Sequence, residues 1–267
     1  MILIIIGLFA GLYVGSFYKA TCPPKPLPGV QKQNKESSIS ETFGLLKIRK
    51  DNEALAIFEK ILSEQPDNLN ALWGKAEVLR RMRKYKESES ILKKEVLKNN
   101  PNHASSLISL SYIRYKDDRL NEALELVNQV LKTDSLDREN KALAYMMLGT
   151  INSRRSAKGW FFSKIKYGTQ IRRYFLKAKE LAPDLPEVHL GLGTFYLLAP
   201  AIIGGDLNRA IEELEYAVGI ASDFATANAR LAQAYKKKSD LEKYNFYIQR
   251  AKKLDPENEV LKELQEY

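Results

Sequence analysis

Two histidines, His103 and His189, and one cysteine, Cys22, are all the chain offers of the side chains that most often ligate metals or act as nucleophiles. One cysteine excludes an intrachain disulfide framework and a thiolate zinc or iron–sulfur site. Neither histidine has a ligand partner at suitable spacing, and no Ser–His–acid or Cys–His pairing can be nominated. Gly204-Gly205 is not followed by the Lys-Ser/Thr of a phosphate loop. The sequence therefore predicts no catalytic residue, no metal and no cofactor. His103 reads as a turn residue and His189 as a packed or rim residue.

The remaining chemistry is charge and apolar surface. The 42 Lys+Arg and 33 Asp+Glu leave a net +9. The stretch "RRSAKGWFFSKIKYGTQIRR" carries seven basic residues, Arg154, Arg155, Lys158, Lys164, Lys166, Arg172 and Arg173, and no acid, so the rest of the chain holds only +2. Trp160, Phe161, Phe162 and Tyr167 are interleaved with those charges. Three partners suit this pattern: an anionic membrane surface, an acidic protein, or, least favoured, nucleic acid. The fourth alternative is a solvated loop whose aromatics pack onto the body. A second segment, "YLLAPAIIGGDLNRA", breaks a helix at Pro200 and at Gly204-Gly205, and Asp206 reads as the cap of the next helix. It is either an elbow between helices or a lip over a ligand groove.

These segments interrupt a periodic chain of 267 residues, 45% hydrophobic and 28% charged, an ordinary globular composition. "DNEALAIFEKILSEQPDN", "NEALELVNQVLKTDS" and "NRAIEELEYAVGIASD" share a small residue, an apolar one four on and another three on: Ala54/Phe58/Ile61, Ala123/Val127/Val130 and Ala210/Leu214/Ala217. Ser88/Leu92, Phe175/Ala178 and Tyr244/Ile248/Ala251 follow the pattern. Such spacing places these side chains on one helical face. A helix precedes each, carrying a small residue with a bulky one three further on: Ala76/Leu79, Ser111/Arg114, Gly149/Asn152, Gly193/Tyr196 and Ala232/Tyr235. Pro66, Pro183 and Pro256 end the second helices.

This resembles the tetratricopeptide repeat (TPR) family. Units aligned to its pattern begin near Lys35, Leu69, Ala104, Ala142, Pro186 and Ala225, in steps of 34, 35, 38, 44 and 39 residues. Glu41-Thr42 stands where Leu-Gly is expected, which marks the first unit as a partial cap. The resemblance implies an all-α fold, a right-handed superhelix of stacked antiparallel helix pairs, with the first helix of each pair lining the inner surface. Carried onto this sequence, inner positions include Trp73, Glu77, Arg80, Ile108, Tyr112, Tyr115, Met146, Thr150, Leu190, Thr194 and Gln233. They lack the Lys/Asn/Arg clamp by which some family members hold a terminal carboxylate. The expectation is a largely apolar groove for an amphipathic helix, an extended peptide or a hydrophobic small molecule, with Arg80, Arg81, Arg83 and Lys84 on a solvated edge. More narrowly, Gly193, Tyr196, Ala199, Pro200, Gly204, Gly205 and Asp206, following Lys164, Tyr167 and Gly168, are similar to the T-component proteins of bacterial TRAP transporters. That likeness implies an envelope protein handling a hydrophobic ligand beside a solute-binding partner.

Residues 2–18 are uncharged and apolar, about 25 Å as a helix at about 1.5 Å per residue. They read as a membrane anchor or export signal within 1–21. Cys22 follows where a lipoprotein carries its lipid, although Lys19 fits that motif poorly. Pro23, Pro24, Pro26 and Pro28 make 22–34 an extended tether, and 35–267 is the repeat array. The expected function is a non-enzymatic, membrane-tethered scaffold binding a protein of the bacterial cell envelope, on a side of the membrane left open. The alternative is a T-component-like accessory of solute uptake.

Overall fold

A computed structural model describes residues 39–133, 135–158 and 161–265, excluding the side chains of 158, 161–166 and 169. The expected anchor and tether lie outside these residues. No helix of the described residues is long and apolar enough to cross a membrane.

Thirteen helices follow one another in the described residues. They are α1 (39–47), α2 (Asp51–Glu64), α3 (Leu69–Arg81), α4 (Tyr85–Ile91, continued by a π-helical turn Leu92–Leu97), α5 (Ala104–Lys116), α6 (Leu120–Leu131), α7 (Arg138–Lys158), α8 (Phe161–Leu181), α9 (Pro186–Leu198), α10 (Leu207–Ile220), α11 (Ala225–Lys237), α12 (Leu241–Leu254) and α13 (Glu259–Gln265). Odd and even helices pair in turn, α1 on α2 through Phe43 and Leu46 against Ala54 and Phe58, and each pair packs on the next, so six helix pairs stack and α13 closes the end.

The periodic residues form the core. Ala54 and Phe58, Ala123, Val127 and Val130, and Ala210, Leu214 and Ala217 are buried on the second helices. The small residues of the first helices admit them. A Cβ on Gly74 would lie 2.2 Å from the Phe58 ring, and Cβ atoms on Gly149 and Gly191 would each lie 2.8 Å from the Phe175 ring. Unit two departs from the pattern in an instructive way. Its π turn adds one residue to the helical cycle, so that Val96, four after Leu92, takes the buried place and Glu95 is exposed.

Caps and turns are also periodic. Asn68, His103, Asp137, Asp206 and Asp240 accept hydrogen bonds from backbone N–H groups opening α3, α5, α7, α10 and α12. Between first and second helices the same unit position is left-handed in units one, two, three and six: Arg49, Arg83, Asp118 and Ser239, with φ of 67°, 62°, 62° and 63°. The following N–H reaches back to the fifth residue before it, as in Lys50 to Leu45 and Asp240 to Tyr235, satisfying carbonyls the helix end would leave open.

The insertion in unit four is helical. α7 and α8 are each 21 residues long, against 14 for α2, α10 and α12, so the hairpin gains about two turns, roughly 10 Å. The expectation of a loop is corrected here: no proline interrupts residues 138–181, and the helical hydrogen bonds continue on both sides of the tip.

The stack also touches itself across long sequence distances. Residues at the ends of the first helices of units one to three, or in the turns after them, meet residues in or just before the first turns of α9, α11 and α13. Lys47 pairs with Asp184, Arg49 with Glu187 at 2.7 Å, Lys50 with Asp223 at 2.8 Å, Arg83 with Asp255 and Lys116 with Glu259. Arg49 also lies over the Phe224 ring, 3.7 Å from its centroid.

Candidate partner-binding surfaces

The residues expected on the inner wall lie on α3, α5, α7 and α9, the first helices of their pairs. Of the residues expected there, Trp73, Tyr112, Tyr115, Met146 and Leu190 are half-buried, whereas Ile108 is buried. Contacts join one first helix to the next. Trp73 Nε1 donates to Ser109 Oγ at 3.2 Å, and its ring packs near Phe43 and His103. Tyr112 and Tyr115 lie 6.0 Å apart, with Arg80 over the first ring at 4.1 Å and Arg154 over the second at 5.0 Å.

Beside these rings lies a cluster of charged side chains that includes Glu77 and Arg80, both among the positions expected on the inner wall. Glu77 accepts from Arg80 Nε at 2.8 Å, Arg81 Nε at 2.9 Å and Ser109 Oγ at 2.8 Å. Arg81 also donates to Asp51 and to the Leu46 carbonyl, both at 2.8 Å, and approaches Glu187 to 3.6 Å. Arg80 and Arg81 therefore form no solvated edge: their side chains are 14% and 11% exposed. Position 77 lies three and four residues before them, so one carboxylate one turn away gathers both guanidiniums inward. Burial pushes the Glu77 carboxyl up, and Arg80, Arg81 and Ser109 outweigh it, leaving the group well below the usual carboxylate range. Arg49 is lowered to about 10, first by burial and next by Arg81, with Glu187 opposing. Arg49 Nε and Glu187 Oε2 are buried with no protein hydrogen-bond partner among the described residues.

The second surface is the α7–α8 hairpin. Trp160 lies outside the described residues, as do the side chains of Lys158, Phe161, Lys164 and Lys166. Arg155 donates to Asn121 Oδ1 at 2.7 Å. Arg173 is exposed, near the Tyr174 ring. Arg172 packs against the Gly204 turn, its Nε buried and without a hydrogen-bond partner among the described residues.

At the elbow, Gly204 is left-handed with φ 102°, and a Cβ on Gly205 would lie 1.8 Å from the Ala199 carbonyl oxygen. Pro200 O accepts from the N–H groups of Ile203 and Gly205, and Asp206 caps α10. Ile203 meets Gly168 of α8, while Ile202 is 94% exposed.

The two histidines are structural. His103 Nδ1 caps α5. His189 is buried, its Nδ1 2.7 Å from Glu213 and its Nε2 2.6 Å from the Pro183 carbonyl. No group of three or more potential metal ligands occurs among the described residues. Two hollows on the surface are lined by none of the row Trp73, Tyr112, Tyr115, Met146 and Leu190. One, of about 640 Å³, is lined by Asn102, Glu125, Asn128, Gln129, Lys132 and Thr133, and the other, of about 310 Å³, lies along Arg172, Arg173 and Leu176.

No family model and no curated protein matches the chain. Solved structures do. The TPR protein TTC0263 of Thermus thermophilus superposes with a TM-score of 0.58 at 19% identity, over 73% of this chain and 96% of that one. Human IFIT1, solved as a dimer with PPP-AAAA, gives 0.58 at 19% identity over 86% of this chain and 52% of that one. A chain of the APC/C hetero-tetramer Cut9-Hcn1 gives 0.57 at 14% identity, over 86% and 42%. At these identities the likeness shows the fold, a TPR-like helical solenoid. It lends no support to the narrower similarity to TRAP T-components.

Proposed function

We propose that this protein is a non-enzymatic scaffold that binds another protein along the inner wall of its helical stack, held at a membrane of the bacterial cell envelope by its N-terminal apolar segment. The observation that carries the binding site is the row of half-buried side chains on successive first helices, Trp73, Tyr112, Tyr115, Met146 and Leu190. Several are already backed by neighbours that fix their orientation, so a peptide laid on them would order few side chains. The charged cluster beside the row gives that peptide a polar register as well as apolar contact. A hydrophobic small ligand has less in its favour, because the larger surface hollow is lined by polar side chains.

The test is capture from detergent-solubilised envelope membranes with the wild type and with Trp73→Ala/Tyr112→Ala. A partner that is retained by the wild type and by Tyr112→Phe, and lost from the double variant at unchanged helical content, supports the inner wall. Equal retention by all three rejects it. Sedimentation of the full chain with membranes, and its loss on deletion of residues 2–18, tests the tether.

A further inference from the structure

Fourteen arginines are present, and among the described residues nine have a carboxylate oxygen within 4.0 Å: Arg49, Arg80, Arg81, Arg83, Arg114, Arg119, Arg209, Arg230 and Arg250. Four of the other five are Arg154, Arg155, Arg172 and Arg173, all on the α7–α8 hairpin. Among the described residues, guanidiniums outside this hairpin are almost all paired with carboxylates, and these four have none within that distance. The hairpin from 154 to 173 contains no acid to neutralise them.

Their placement discriminates between possible occupants. Arg154 and Arg155 lie on the flank facing unit three, against Tyr115 and Asn121. Arg172 lies on the opposite flank, against the elbow at Gly204, and Arg173 lines the same surface hollow as Arg172. A bilayer lying along a helical hairpin meets one flank; a cleft receives both. Guanidiniums are forks suited to carboxylates, and three of these four are steadied by neighbours rather than free to sweep.

We propose that the α7–α8 hairpin is a second docking element, received between acidic side chains of a protein partner that straddles it. It adjoins the inner wall where Arg154 lies over Tyr115, while Arg155 and Arg172 meet Asn121 and the Gly204 turn outside that row; a scaffold with both sites joins two segments or two proteins.

The probe is a fluorescein-labelled oligo-glutamate, titrated against the full chain by anisotropy at about 0.1 M salt, where screening extends over about 10 Å. A flexible acidic chain can reach both flanks. Arg155→Gln and Arg173→Gln, one per flank, should each weaken binding about threefold, and the pair about ninefold, the scale of exposed charge pairs. Lys252→Gln, an exposed lysine distant in sequence, should leave it unchanged. Vesicles of equimolar phosphatidylglycerol and phosphatidylethanolamine form the second arm, in which the arginine variants should sediment like wild type. The proposal is overturned if only one flank matters, if Lys252→Gln weakens binding equally, or if the wild type does not bind. It is also overturned if vesicle association, rather than oligo-glutamate binding, falls with the arginines.

Discussion

Replacing Glu187 by leucine removes the carboxylate that Arg49 and Arg81 share across the stack. The Arg49–Glu187 contact is 2.7 Å, with side chains 10% and 18% exposed. At an effective dielectric of about 20 that separation corresponds to roughly 6 kcal/mol of attraction before desolvation. Breaking one partner of such a pair typically costs about 3–5 kcal/mol, because the other charge is left buried. Here Arg49 has no other carboxylate partner within ion-pair distance among the described residues, so Glu187→Leu should lie in that range. Loss of an acid from the first turn of α9 accounts for no more than about 1 kcal/mol of it. Arg49→Met keeps apolar contact with Phe224 and leaves Glu187 near Arg81, so it should cost less, about 2 kcal/mol. The double variant buries no stranded charge at this contact and should be more stable than Glu187→Leu alone, with a coupling of about 2–3 kcal/mol. Urea unfolding followed by circular dichroism gives all four corners of the cycle. Additive effects, with coupling under about 0.5 kcal/mol, would refute the view that this contact ties the stack together.

Three further outcomes follow from the same geometry. Asp184 and Asp223 lie below the ordinary carboxylate value because Lys47 and Lys50 donate hydrogen bonds to them; with folded values below unfolded ones, their contribution is present above about pH 4 and is lost as pH falls through the folded values. Hydrogen exchange of the Arg49–Lys50 turn should therefore accelerate under acid before α10 exchanges, and simultaneous exchange would count against it. Gly74→Ala places a methyl inside the Phe58 ring contact and should cost more than about 2 kcal/mol, recovered in part by Phe58→Leu in the same background; thermal unfolding that shows no recovery contradicts the packing. Ser239→Gly relieves a left-handed non-glycine turn and should stabilise by about 0.5–1 kcal/mol after the entropy of the unfolded glycine is counted, and a lower melting temperature would refute this.

The helix pairs were legible in the sequence because the spacing of Ala54/Phe58, Ala123/Val127 and Ala210/Leu214 is a local property that burial in the stack then satisfies. Asp206 was legible as a cap for the same reason. The π turn was visible only as a missing member: Ser88/Leu92 had no third partner three residues on, since Val96 takes that place one residue late. Arg80 and Arg81 were misread because basic residues near a helix end usually face water, and only the position of Glu77 one turn back draws them inward. The pairs joining Lys47 to Asp184 and Arg49 to Glu187 span 137 and 138 residues. No periodicity in one sequence encodes such a meeting, which depends on the summed rotation of every intervening pair.

That meeting has a consequence for how the architecture can vary. An open stack tolerates gain or loss of a module, because each layer knows only its neighbours. Here the leading turns are matched to acids presented several layers later, so inserting or deleting one module would rotate Asp184, Asp223 and Asp255 away from their cations. The number of layers is thus a closure condition, much as the strand count is for a barrel, rather than a freely extensible length.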